Sequence, residues 1–92
     1  MIQSFRHRGL ERFFSQGDTR RIPPPFASRL RRILARLHSA QGIRDMDGPG
    51  LVLHPLRGNL AGFWAVRVSG NWRIIFRFEE GNVFDVDLID YH

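Results

Sequence analysis

Apolar residues recur at helical spacing near the start of the chain. Leu10, Phe13 and Phe14 fall on one side of a helix predicted over residues 8–16. Gly17 stands where a glycine commonly ends a helix, because glycine adopts the left-handed conformation without steric cost. Such a short helix is marginal in isolation, so we expect it to depend on packing against the rest of the protein.

A second helix is predicted after three consecutive prolines at residues 23–25. Proline is tolerated in the first turn of a helix and not later, so this run marks the start. The helix is predicted to end near Ser39 or Ala40, before Gly42. Its apolar stripe has the spacing i, i+4, i+7, i+8 and i+11 and consists of Phe26, Leu30, Ile33, Leu34 and Leu37.

The last third of the sequence predicts three antiparallel strands over residues 62–68, 72–79 and 83–90. The turns between them read Ser-Gly-Asn and Glu-Gly-Asn, which are hairpin signals. Shorter strands are predicted at residues 2–5 and 51–53. The predicted fold is therefore α+β, with two N-terminal helices packed on a small, mainly antiparallel sheet.

Alternation along these strands assigns their side chains to two faces. One face is apolar and is predicted to form the core under the helices, with Trp64, Val66, Val68, Trp72, Ile74, Phe76, Phe78, Phe84, Val86 and Leu88. The other face is predicted to be polar, with Arg67, Arg73, Arg77, Asp85, Asp87 and Tyr91. We expect Arg77 to pair with Asp85 or Asp87, whereas Arg73 is placed to meet a ligand.

Composition excludes several classes of protein. The chain has 92 residues, of which 42% are hydrophobic, so residues 1–92 are predicted to form one globular domain. There is no cysteine, which excludes disulfides and thiolate metal sites, and no apolar run of the roughly 20 residues that span a bilayer. The N-terminus lacks the apolar stretch of a signal peptide, so a cytoplasmic location is expected.

The net charge of +5 comes from 14 basic residues, all of them arginine, against nine acidic ones. Arginine binds phosphate through a planar pair of donors and stacks on bases. GC-rich coding also favours arginine over lysine, but it does not account for the net charge. A basic surface indicates a nucleic acid partner, an acidic protein partner, or both.

Side chains able to cleave RNA without a metal are present. Such cleavage needs a base for the ribose 2′-OH, a cation for the phosphorane and an acid for the leaving 5′ oxygen. No spacing of His, Asp and Glu resembles a metal site, and no cofactor is expected. His7 and His38 are not candidates for this chemistry and are predicted to be surface residues. The candidates for the chemistry are His54, Arg73, Asp90, Tyr91 and His92.

Four segments carry a resemblance to a known family. Residues 2–10, 49–58, 70–74 and 86–92 read IQSFRHRGL, PGLVLHPLRG, GNWRI and VDLIDYH. In this order and spacing they resemble the HigB toxins, also called plasmid-maintenance or proteic killer proteins, of the RelE/ParE superfamily. The resemblance covers essentially the whole chain, and it implies a RelE-like, microbial ribonuclease-type fold.

The resemblance also implies an activity and a set of residues. Toxins of this kind are ribosome-dependent mRNA endonucleases that cut the codon in the ribosomal A site. By position, the catalytic group would be His54, Asp90, Tyr91 and His92, with Arg73 stabilising the transition-state charge. Arg57 stands where relatives often carry lysine, and its high pKa makes a proton-donating role unsuitable. The other expected RNA-binding residues are Arg67, Asn71 and Arg77.

Partners follow from the same resemblance. It implies a HigA-type helix-turn-helix antitoxin, the 70S ribosome and mRNA, with operator DNA contacted only through the antitoxin complex and no membrane. Two alternatives stay open: a ParE-like toxin that poisons DNA gyrase, and an inactive module that only binds its antitoxin. The feature that favours the nuclease over both alternatives is the set of His54, Asp90, Tyr91 and His92. A gyrase binder does not require that set, and an inactive module need not retain it.

Overall fold

The computed structural model describes residues 1–91, and the predicted catalytic residue His92 lies outside the described residues. Helix α1 spans Arg8–Gln16, and helix α2 spans Ala27–Ser39. A short 3-10 turn at Pro24–Phe26 leads into α2. Both helices have the extents that the apolar spacing and the proline run predicted.

The flanking residues of α1 determine where it begins and ends. The imidazole of His7 caps the N-terminus, since its Nδ1 accepts the Leu10 N–H at 2.9 Å. Gly17 ends the helix in the left-handed conformation with a φ of 72°. His38 is also partly buried, and its Nδ1 accepts the Ile2 N–H at 3.1 Å. The prediction that both histidines are simple surface residues is therefore wrong.

Four strands form one antiparallel sheet in the order β1-β2-β3-β4. Strand β1 is His54–Pro55, β2 is Trp64–Ser69, β3 is Trp72–Glu79 and β4 is Asn82–Asp90. Consecutive strands pair with each other, so the sheet is a meander. The three predicted C-terminal strands and both hairpin turns are confirmed.

The two shorter predicted strands differ from the structure. Residues 51–53 do not form a strand, because Val52 has a φ of 51° and turns the chain immediately before His54. The N-terminal segment forms only isolated parallel bridges with β4, at Ile2 and Phe5. This segment nevertheless covers the outer edge of β4 and leaves fewer backbone groups unpaired there.

The main core lies between the two helices and one face of the sheet. Trp64, Trp72 and Phe78 pack partly buried at its margin. The predicted apolar face is confirmed except at Phe84. The buried members from helices and strands include Leu10, Phe13, Leu30, Ile33, Leu34, Leu37, Val66, Val68, Ile74, Phe76, Val83, Val86 and Leu88.

Phe84 faces the other side of the sheet, and Val83 occupies the core instead. The register pairs Phe84 with Arg77 and Val83 with Phe78. Asp85 has a φ of 56° and lies in an irregularity that inserts one residue into β4. This bulge shifts the phase of alternation by one residue, which a strictly alternating pattern does not anticipate. Beyond the bulge the predicted alternation resumes.

The side of the sheet away from the helices, here called the second sheet face, is not wholly polar as predicted. Ala65 and Ile75 are only 1% exposed there and pack with Leu56. Ile75 lies between Arg73 and Arg77 along β3, so apolar contacts separate these two arginines. Further partly buried side chains surround this second cluster, namely Leu60, Phe63 and Ile89.

Candidate active site

His54 lies on β1, at one edge of the second sheet face, and pairs with Ala65. Its Nδ1 is 2.9 Å from the carbonyl oxygen of Val52. A carbonyl oxygen can only accept a hydrogen bond, so Nδ1 carries the proton in this contact. In the neutral ring, Nε2 then has a free lone pair. The arrangement therefore gives His54 the tautomer that a general base acting through Nε2 requires.

Val52 is the residue that sequence reasoning missed. Its φ of 51° is uncommon for a β-branched residue and is strained. Its side chain is 59% exposed, so burial of that side chain does not hold this conformation in place. The strain lies where the Val52 carbonyl meets the His54 ring. No sequence pattern signals this contact, because it depends on the backbone conformation of residues 52–54.

Arg67 and Arg73 face each other directly on β2 and β3. Like charges in this position repel and destabilise a sheet unless an anion lies between them. The ion pairs found among residues 1–91 involve other arginines, namely Arg20, Arg44 and Arg77. The pair therefore concentrates two cations that no carboxylate of the described chain neutralises, which is what an RNA phosphate needs.

The Arg73 guanidinium is held in place by the hairpin that precedes β3. Its Nη1 donates to the carbonyl oxygens of Gly70, at 2.7 Å, and Trp72, at 3.0 Å. Both bonds engage the same nitrogen, which leaves donors on Nε and Nη2. A cation fixed in this way loses little conformational freedom on binding phosphate.

The end of β4 lies beside this hairpin. Asp90 pairs with Trp72, and the Tyr91 N–H donates to the Asn71 carbonyl oxygen at 2.7 Å. Tyr91 is 46% exposed, and Asp90 and Asn71 are exposed as well. The fold thus brings three of the predicted site residues, Asn71, Asp90 and Tyr91, to the strand end that carries Arg73.

Arg77, another predicted RNA contact, is engaged within the protein. Its Nε donates to Asp85 at 2.9 Å, and its Nη1 pairs with Glu79. The hydrogen bond that Arg77 donates to Asp85 is the main cause that raises the pKa of Arg77 above its ordinary value. The predicted pairing with Asp85 is confirmed, while RNA binding by Arg77 stays a prediction. Arg57 is exposed at the start of a 3-10 turn and remains available.

The predicted residues spread across the width of the sheet. His54 is on the first strand, the arginine pair on the two middle strands, and Asp90 on the fourth. Strands are about 4.8 Å apart, so the backbones of β1 and β4 are about 14 Å from each other. In strand order Arg73 therefore lies between the edge histidine and the end of β4. Asp90, however, pairs with the core residue Trp72, so its side chain is on the helix-covered side of the sheet, opposite to His54 and Arg73.

The second cluster covers the centre of the second sheet face. Three clefts of the described chain lie away from this face. One, of about 210 Å³, is lined by Gly9, Arg12, Asp18, Arg20 and Arg21 beside α1. Within residues 1–91, no three His, Asp or Glu side chains cluster as metal ligands. The same part of the chain contains no helix with the length and apolar character of a membrane span.

Comparison with known proteins places these features in context. A family model described as RelE-like toxin of type II toxin-antitoxin system HigB matches residues 3–92. Endoribonuclease HigB from Proteus vulgaris is 36% identical over 92 residues, the full length of both chains. Toxin HigB-1 from Vibrio cholerae serotype O1 is 34% identical over 83 residues, which cover 88% of this chain and 87% of that protein. These matches extend over the helices and the sheet together.

Proposed function

The chain belongs to the HigB-like family of RelE-like toxins of type II toxin–antitoxin systems, and we propose that it is a metal-independent endoribonuclease that cuts mRNA. The observation that carries this proposal is the Arg67 and Arg73 pair, which lies on the same sheet face as His54 and forms no ion pair with a carboxylate of residues 1–91. The relative from Proteus vulgaris, similar over its full length, is named an endoribonuclease. The proposed catalytic unit is one domain of microbial ribonuclease type, residues 1–92.

The proposed chemistry begins at His54. Its Nε2 takes the proton of a ribose 2′-OH, and the 2′ oxygen attacks the adjacent phosphorus. Arg73 stabilises the negative charge that develops on the phosphorane oxygens. The bond from phosphorus to the 5′ oxygen then breaks, which leaves a 2′,3′-cyclic phosphate and a 5′-OH.

The leaving 5′ oxygen needs a proton, and the tail is its proposed source. Tyr91 and His92 carry side chains that donate protons, and Asp90 is suited to orient or charge-stabilise them. The main-chain bond between Tyr91 and Asn71 supports this role, because it holds the tail at the strand end that bears Arg73. Arg57, Arg67, Asn71 and Arg77 are proposed to bind the RNA around the scissile phosphate.

The proposed partners follow from the family. A type II toxin has an antitoxin, and we propose one of the HigA helix-turn-helix type that also contacts operator DNA. The proposed substrate is a codon in the A site of the 70S ribosome, in the cytoplasm. The net charge of +5 favours association with both ribosomal RNA and mRNA.

The test is expression of the chain with and without the His54→Ala substitution. The wild-type chain should arrest translation and produce new mRNA 5′ ends within reading frames, mapped by primer extension. His54→Ala should lower cleavage by about 10²–10⁴-fold, the usual contribution of a general base. Broken or relaxed DNA without codon-phased mRNA ends would instead indicate the gyrase-poisoning alternative. Neither effect, with antitoxin binding retained, would indicate an inactive module.

A further inference from the structure

Two arginine side chains lie over aromatic rings next to the second cluster. The guanidinium carbon of Arg6 is 5.6 Å from the centre of the Phe63 ring. That of Arg77 is 5.5 Å from the centre of the Phe84 ring. Phe84 pairs with Arg77, and Phe63 packs against Ala65 and Ile75, so both rings belong to the second sheet face.

Their position relative to the arginine pair follows from the sheet register. Along β3, Arg73, Ile75 and Arg77 point to the same face at successive two-residue steps. At about 3.3 Å per residue, the end of this face at Arg77, where the aromatic rings lie, is about 13 Å from the end at Arg73. RNA bound with one phosphate at Arg73 and running along the strands would carry a neighbouring base over Phe63.

Arg6 differs from Arg77 in what else it binds. Arg77 is neutralised by Asp85 and Glu79. Arg6 is exposed, and it takes part in no ion pair found among residues 1–91. Its backbone N–H donates to the Val86 carbonyl oxygen at 2.8 Å, which anchors the main chain at Arg6 beside β4.

We propose that Arg6 and Phe63 form a nucleobase-stacking site for RNA on the second sheet face, which rests on the proposed endoribonuclease function. The lower surface of this stack is the Phe63 ring, supported by the second cluster. The upper surface is the Arg6 guanidinium, whose plane accepts a base and whose charge attracts the backbone. Proteins that bind single-stranded RNA use aromatic rings and guanidinium planes in this way.

The experiment compares Arg6→Gln, Phe63→Leu and the double variant with Arg8→Gln as a charge-matched control. Phe63→Leu keeps an apolar side chain for the second cluster, and Arg6→Gln alters an exposed group, so at least that variant should fold. With mRNA in a cell-free translation mixture, each single variant should raise KM about tenfold, because a stacking contact is lost. The kcat should change less than about twofold, and Arg8→Gln should match the wild type. The KM of the double variant should be about the same as that of the worse single variant, since both substitutions disrupt the same stack.

A binding titration separates this site from the catalytic proposal. Each variant is titrated with a fluorescent single-stranded RNA, and Arg6→Gln and Phe63→Leu should bind about tenfold more weakly than the wild type and Arg8→Gln. Equal RNA affinity of the wild type and all of its variants overturns the stacking site, whether or not the wild type cleaves RNA. Unchanged RNA affinity with lost antitoxin binding also overturns it, because the surface would then serve a protein. If Arg6→Gln and Phe63→Leu bind RNA more weakly than the wild type, but the wild type never cleaves RNA, the stacking site stands and the proposed activity is removed.

Discussion

At the scale of single residues, the arginines of the second sheet face differ in how their charge is balanced. Arg77 has two carboxylate partners, so its charge is balanced within the fold. Arg67 and Arg73 face one another with no such partner among the described residues. A protein that keeps two cations opposed in this way gives up some stability for an anion-binding surface.

Removing one arginine of the pair should raise the stability of the fold and weaken RNA binding. Arg67→Gln should increase the free energy of unfolding by roughly 0.2–1 kcal/mol, since a cross-strand repulsion disappears. The same change should weaken RNA binding and lower the salt slope of log affinity by about one. Urea denaturation and RNA titrations over a range of salt concentrations measure the two effects.

Arg77→Gln is the matched control, because it removes the same charge from the same face. It should decrease the stability, since Asp85 and Glu79 lose their common cation. If Arg67→Gln also destabilises the fold, or leaves the salt slope of RNA binding unchanged, the opposed pair is not an anion site.

At the scale of elements, helix α1 contains a glycine that is explained by its tertiary contacts. Gly9 is the second residue of the helix and is buried. Glycine favours a helix less than alanine does, by up to about 1 kcal/mol where the position is interior. A Cβ at Gly9, however, would lie 2.5 Å from the Arg21 Cβ and 2.9 Å from the His7 ring. The close approach of the following loop therefore requires the glycine.

Gly9→Ala should consequently destabilise the protein despite the higher helix propensity of alanine. The clash with a Cβ attached to the Arg21 backbone requires a main-chain shift, which typically costs about 1–3 kcal/mol. Gly42→Ala is the control, because that glycine has an extended φ of −146° and no atom within 4 Å of an added Cβ. Chemical denaturation should show a loss for Gly9→Ala and little or no loss for Gly42→Ala. A gain for Gly9→Ala would contradict the packing argument.

At the scale of the whole molecule, one face of the sheet forms the main core and the other carries the candidate site. The helices bury one face and form the main core. The other face carries the smaller second cluster, with His54 and the arginine pair beside it. Because the tail lies beyond the last core residue of β4, we expect catalysis and stability to be separable there.

Deletion of Tyr91 and His92 should abolish toxicity and mRNA cleavage while the fold persists. Tyr91 is 46% exposed, and its main-chain bond to Asn71 is a single contact at the end of the sheet. Thermal unfolding should therefore shift by only a few degrees. Tyr91→Phe, which removes only the hydroxyl, tests whether the phenol itself donates the proton. Growth arrest by the truncated chain, equal to that of the full chain, would remove the tail from the mechanism.

Local patterns in the sequence were sufficient for much of the architecture. The apolar spacing and the proline run placed both helices, and the turn residues placed the three long strands. These features depend on neighbours within a few positions, so periodicity and turn chemistry report them directly. Charge and residue types likewise identified Arg73 and His54 as candidates, and the segment pattern indicated the family that the comparisons confirm.

The tertiary structure decided the features that depend on register and on single backbone angles. The bulge at Asp85 moved Phe84 out of the core, and the turn at the left-handed Val52 brought its carbonyl oxygen to Nδ1 of His54. The pairing that opposes Arg67 and Arg73 arises from strand register, which two strands determine jointly. The sequence by itself thus determined which elements form and what chemistry they carry. Only the fold decided which side chains meet, because such contacts join residues far apart in the chain.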